Sequence, residues 1–132
     1  MAERLILDAS AMVDLLVGSD LAKAVVRRLR GHELHAPAHF DAEVLSALGR
    51  LHRGGHLSAR QATARIGRLA AAPIERHLLS LLLAGAWARR HNLRLVDALY
   101  VELAQRLDAP IVTTDSGMAG AAPVAELVTD AS

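Results

Sequence analysis

Residues 95–115 read LVDALYVELAQRLDAPIVTTD, and a change of period inside them decides the fold. Val96, Leu99, Tyr100, Leu103 and Leu107 recur at helical spacing and share one face, while Asp97 opens the helix off that stripe. Pro110 to Thr114 then reads as a short apolar strand, and Asp115 follows it. The same grammar stands at the beginning of the chain, where the run Leu5-Ile6-Leu7 is followed by Asp8.

Between these two anchors, strands and helices alternate. Ala11 to Val17 is a helical turn or two, and Asp20 is placed to cap a helix running to about Arg30, where Gly31 stops it. Glu33 to Ala36 reads as a strand ending at Pro37. From His39 to His52, Phe40, Val44, Ala47, Leu48 and Leu51 make one helical face with Glu43 on its flank. Gly54-Gly55 breaks the chain, Ser58 caps a basic helix to about Ala71, and Pro73 ends it. Ile74 to His77 reads as a strand, Leu78 to His91 as a mostly apolar helix carrying Trp87, and Val124 to Val128 as the last strand. Alternation of this kind predicts an α/β domain: a parallel sheet with helices on both faces, one domain over residues 1–132.

Composition narrows the classes. The chain has no cysteine, which excludes disulfides, thiolate zinc sites and a cysteine nucleophile. Its apolar stretches are far shorter than the roughly 20 residues of a membrane helix, and the opening apolar run stops at Asp8, too early for a signal peptide. The expected location is the cytoplasm. A hydrophobic fraction of 52% and a mean hydropathy of +0.25 leave apolar surface for a partner or a second copy. Net charge is only +1, yet Arg50 to Arg94 holds nine arginines against one acid, Glu75. Arginine presents a planar fork that matches phosphate, so this stretch suits a polyanion, although solvated helix faces account for such arginines equally well.

Asp8, Glu43, Asp97 and Asp115 are the candidate site. In an open α/β sheet, residues just beyond the carboxyl ends of strands meet in one crevice, and Asp8 and Asp115 both follow strands. Carboxylates gathered there repel one another, and the usual remedy is a hard divalent cation with oxygen ligands, Mg²⁺ or Mn²⁺. Each acid also has an ordinary role open to it: Asp is a favoured N-cap, and Glu43 on a helix flank could be a solvated charge. Ser10, Thr113 and Thr114 are placed to orient the carboxylates by hydrogen bonds. Asp14, one helical turn further on, is read as standing outside the set. His32, His35 and His39 fall across a strand, a proline and a helix start, so the histidines are read as structural or surface groups.

The runs LILDASAMVDLL (5–16), HAPAHFDAEVLSAL (35–48) and LVDALYVELAQRLDAPIVTTD (95–115) resemble the PIN domain family, and more narrowly the toxin of VapBC toxin–antitoxin pairs. The resemblance covers nearly the whole chain. It implies a three-layer α/β/α fold and a Mg²⁺- or Mn²⁺-dependent endoribonuclease acting on an RNA substrate. It also implies inhibition by a small cognate antitoxin and a homodimer. The acids of its motifs fall on Asp8, Glu43, Asp97 and Asp115. After Asp115 the chain reads Ser116-Gly117-Met118-Ala119, where many relatives carry a basic residue.

Other classes are weaker. An aspartyl-phosphate phosphatase wants a second acid two residues after the first, where this chain has Ser10, and a receiver domain wants an acidic pair at the first strand end. A noncatalytic RNA- or protein-binding module would not need all four acids. A nuclease acting on DNA stays open, because metal-dependent phosphodiester cleavage does not choose the sugar.

Overall fold

The computed structural model describes residues 2–130 and is built on one sheet of five parallel strands in the order β3-β2-β1-β4-β5. The strands are β1 (Arg4–Leu7), β2 (Glu33–Pro37), β3 (Ile74–His77), β4 (Ile111–Thr113) and β5 (Ala125–Leu127). Leu5, Ile6, Leu7, Ile111 and Val112 are fully buried, as central strands covered on both faces must be. All five strands read from the sequence are present.

The helices are α1 (Ala9–Val17), α2 (Ala22–Leu29), α3 (Phe40–Arg53), α4 (Ala59–Ala71), α5 (Leu83–Ala88), α6 (Leu95–Leu107) and α7 (Ser116–Ala121). From β1 the chain steps outward to β2 and β3, then crosses back to β4 on the other side of β1. Right-handed crossovers in opposite directions put their helices on opposite faces. Accordingly α1 packs with α2, α3 and α4, while α6 packs with α5 and lies on β1, β2 and β4. The direction of winding reverses between β1 and β4, and a crevice opens beyond their carboxyl ends.

Local chemistry explains some of the element ends. Ser58 accepts from the Gln61 N–H while the Gln61 side chain accepts from the Ser58 N–H, a reciprocal cap that starts α4. Gly18 ends α1 at φ 71°, a conformation that other residues adopt only with strain. Two expectations fail. Asp20 does not cap α2: the helix begins at Ala22, and the preceding turn is closed by Ser19, whose hydroxyl accepts from the Leu21 N–H. Nor is Leu78 to His91 one helix. It divides into a 3₁₀ turn at Leu79–Leu81 and the six-residue α5. Gly85 lies against the Glu102 side chain of α6, a packing that a longer side chain would block. Apolar content without a 3.6 period misleads here, since Leu78, Leu81, Leu83 and Trp87 are all exposed.

Candidate active site

The crevice between β1 and β4 holds a cavity of about 410 Å³ lined by Asp8, Glu43, Asp97 and Asp115, the four acids singled out in the sequence. Four different supports bring them together. Asp8 follows β1, Asp115 follows β4 at the head of α7, and Glu43 and Asp97 lie in the first turns of α3 and α6. Ser10, Val13, Asp14, Ala47, Arg50 and Arg94 also line the cavity.

Asp8 is the most constrained of the four. It is 7% exposed, and although it occupies the N-cap position of α1 its side chain does not cap the helix. Both the Ser10 and the Thr113 hydroxyls donate to its Oδ2, each at 2.7 Å. Those hydroxyls accept in turn from the loop after β4: Ser10 Oγ from the Thr114 N–H at 3.1 Å, and Thr113 Oγ1 from the Asp115 N–H at 3.0 Å. The two strand ends are thus tied through the carboxylate itself. Burial pushes the Asp8 carboxyl above the ordinary Asp value, more than the two hydroxyls hold it down, and the charge of Asp97 adds to the rise.

The other acids are held in different ways. Asp115 caps α7 by accepting from the Gly117 N–H at 2.9 Å, so capping and a place in the cavity coexist. Asp97 is not a cap. Arg94 holds the N-cap position of α6, and its guanidinium donates to both Asp97 oxygens at 3.0 and 3.2 Å, which holds the Arg94 pKa above its usual value. Glu43 accepts from the buried Tyr100 hydroxyl at 2.7 Å, and the ring of His39 lies beside it, Nε2 3.5 Å from Glu43 Oε1.

The donor set fits a hard divalent cation. Asp8 is a buried carboxylate supported by two neutral hydroxyls, and the ion pairs of the described residues do not reach it. A buried charge without a partner is costly, and oxygen ligands from three further acids share its cavity.

Comparison with known proteins agrees with this geometry. The PIN domain family model matches residues 5–122. Ribonuclease VapC3 of Mycobacterium tuberculosis is 54% identical over 127 residues, spanning 96% of this chain and 93% of that protein. The chain belongs to the PIN domain family, in its VapC-type branch. Ribonuclease VapC12 of the same organism is 35% identical over 87% of this chain and 89% of its own length. A toxin–antitoxin complex from Klebsiella pneumoniae superposes with a TM-score of 0.68 at 20% identity, over 96% of this chain and 97% of the matched chain, which supports the three-layer PIN fold.

This VapC-type site contains groups that the sequence reading passed over. Asp14 is a fifth acid on the cavity, not a bystander, and it accepts from the Thr114 hydroxyl at 2.6 Å. Its place on the helix that starts at Asp8, less than two turns further along, is the signal that could have found it. Arg94 and Arg50 were visible only as part of a basic stretch, and the structure puts both on the cavity wall. Tyr100 was assigned to the apolar stripe of α6. Its ring is there, fully buried, but its hydroxyl reaches Glu43.

Proposed function

We propose that this chain is a metal-dependent endoribonuclease, the toxin of a type II toxin–antitoxin pair, which hydrolyses RNA phosphodiester bonds at the acid-lined cavity. The observation that carries this reading is the convergence of Asp8, Glu43, Asp97 and Asp115 on one cavity at the switch point of the sheet. The ribonuclease names of the VapC relatives support it.

Asp8 and Asp97 are the proposed principal ligands of Mg²⁺ or Mn²⁺, with Asp115 and Glu43 completing the set directly or through water. A bound cation supplies an activated water and polarises the phosphoryl oxygen. The chain's own groups prepare the site. Ser10 and Thr113 engage one oxygen of Asp8 and leave the other free of those bonds, Tyr100 fixes the Glu43 carboxylate, and the Asp115 cap anchors that side chain to α7. Arg94 is 74% exposed in its side chain, so it can leave Asp97 and grip a phosphate of the incoming strand. Arg50, on the same wall, offers a second phosphate contact.

Control by a small antitoxin belongs to the same reading. Of the apolar residues beyond Asp8, Met12, Leu15 and Leu16 line a groove of about 370 Å³ with Leu34 and Ile74, while Val13 lines the acid cavity. α1 therefore borders both, and a partner lying in the groove could extend an arginine to the carboxylates. The exposed Leu78, Leu81, Leu83 and Trp87 suit a homodimer contact. Among the described residues no helix is long and apolar enough to cross a membrane.

The test is co-expression with the small open reading frame adjacent to the gene, followed by pull-down and a ribonuclease assay. A stable complex that no longer cuts RNA is expected. Failure to form a complex, or a complex that cuts freely, would refute this mode of control.

A further inference from the structure

A second group of ligating side chains sits at the other end of the sheet from β4 and β5. β3 is an edge strand paired in parallel with β2, with His35 opposite Glu75 and Pro37 opposite His77. Because side chains alternate with a period of two, this register puts Glu33, His35, Glu75 and His77 on one face. His35 Nδ1 lies 2.9 Å from His77 Nε2 and 3.4 Å from Glu75 Oε2. Its other nitrogen, Nε2, is 2.9 Å from Glu33 Oε1. One ligand atom from each of His35, Glu75 and His77 falls within 4.8 Å of the others, and none of the three lines the acid cavity.

Hydrogen-bond chemistry fixes how His35 is used. The Glu33 carboxylate is an acceptor, so in neutral His35 the proton sits on Nε2 and is donated to it. That leaves Nδ1 with its lone pair aimed at the point where His77 and Glu75 converge. A histidine whose far nitrogen donates to a carboxylate while its near nitrogen is bare has the arrangement of a metal-ligating histidine. The His35 side chain is 4% exposed, so packing holds the ring in place. Two imidazoles and a carboxylate form a donor set suited to zinc, with a fourth position for water, and imidazole selects against magnesium. A tetrahedral ion about 2.0–2.1 Å from its ligands holds them about 3.3 Å apart. The separations of 2.9 and 3.4 Å around His35 Nδ1 bracket that value.

We infer that His35, Glu75 and His77 form a transition-metal site, selective for Zn²⁺ over Mg²⁺, which is separate from the acid cavity and pins the edge strand β3 to β2. Binding displaces the proton that His77 Nε2 shares with His35 Nδ1 in the metal-free protein, and that proton moves to His77 Nδ1 or to solvent. A metal link across this pair also secures the strand whose outer edge has no partner among the described strands. The inference does not depend on the ribonuclease reading.

The test is calorimetric titration of the chelator-stripped full chain with Zn²⁺ in millimolar Mg²⁺, a competitor for any oxygen-ligand site, together with the visible spectrum of the Co²⁺ form. One equivalent of Zn²⁺ should bind with a Kd on the order of 1 μM or below. Co²⁺ should give the intense bands of a four-coordinate ion. His77→Gln and Glu75→Gln should each weaken binding by at least 10-fold, and Glu33→Gln by about 10-fold to 100-fold. Asp8→Asn should leave it unchanged. Glu75 is mostly exposed, so its variant remains informative if the His77 variant folds poorly. Absence of a Zn²⁺ equivalent in Mg²⁺, or binding that survives both β3 variants and disappears in Asp8→Asn, overturns the inference and leaves a hydrogen-bonded histidine pair.

Discussion

The hydroxyl of Tyr100 donates to Glu43 at 2.7 Å, joining the core of α6 to the cavity wall on α3. The ring is fully buried, and burial together with the nearby Glu43 charge raises its pKa, so the hydroxyl keeps its proton and remains a donor. Glu43, 34% exposed in its side chain, depends on this bond for its orientation. Tyr100→Phe keeps the packing and removes the donor. Cleavage should fall by about 10-fold to 100-fold, as for other groups that orient a metal ligand. Stability should change by only about 1 kcal/mol. Full activity in a folded Tyr100→Phe protein would show that Glu43 needs no such support.

Asp8 gives a pH test in the metal-free protein. A carboxyl whose folded pKa is raised contributes stability when protonated: the contribution is present below the ordinary value of 3.8 and is lost as pH rises through the higher folded value. In EDTA, Asp8→Asn should therefore melt at a higher temperature than wild type near neutral pH, with the difference shrinking as pH falls toward 3.8. Melting curves across that window decide the matter. An Asn variant that melts lower than wild type at neutral pH would mean that the charge stabilises the site without metal.

How much of this was legible in the sequence depended on the kind of signal. The strands at Leu5–Leu7 and Ile111–Thr113 announced themselves as apolar runs ending near an acid, and the sheet topology then carried Asp8 and Asp115 to one crevice. Glu43 and Asp97 needed the family motifs as well, because a single acid in a first helical turn has no distinguishing pattern. Other features are products of folding. The donation of Thr113 to Asp8 spans 105 residues, and that of Thr114 to Asp14 spans 100, so no local spacing reveals them. The His35–His77 contact was equally hidden, since it depends on the register of two parallel strands. The break in Leu78–His91 was misread because its apolar residues, exposed at Leu78, Leu81, Leu83 and Trp87, carry no helical period that would mark where one turn ends and α5 begins.

Divalent cation should stabilise the fold by mass action if the acids bind it. Millimolar Mg²⁺ or Mn²⁺ should raise the melting temperature of wild type, and Asp97→Asn should respond less. A melting temperature that ignores both ions in both proteins would argue that the acids do not share one metal site.

Arg94 offers a test of substrate contact that is independent of the chemistry. In the inactive Asp8→Asn background, Arg94→Ala should weaken RNA binding across sequences, and the slope of log affinity against log salt should become less steep by about 1. An unchanged slope would confine Arg94 to its pairing with Asp97.

The most direct measurement is cleavage of cellular RNA by the purified chain, with new 5′ ends mapped across the transcriptome in Mg²⁺, in Mn²⁺ and in EDTA. Wild type, Asp8→Asn, Asp97→Asn and the exposed control Asp20→Asn would be run side by side. The account expects discrete cuts by wild type and by Asp20→Asn with either ion, no cuts in EDTA, and a loss well beyond 100-fold in Asp8→Asn and Asp97→Asn, larger than changes around a ligand typically cause. Undiminished cutting by both cavity variants, or by wild type in EDTA, would contradict the assignment of this acid cavity as a metal-dependent ribonuclease site.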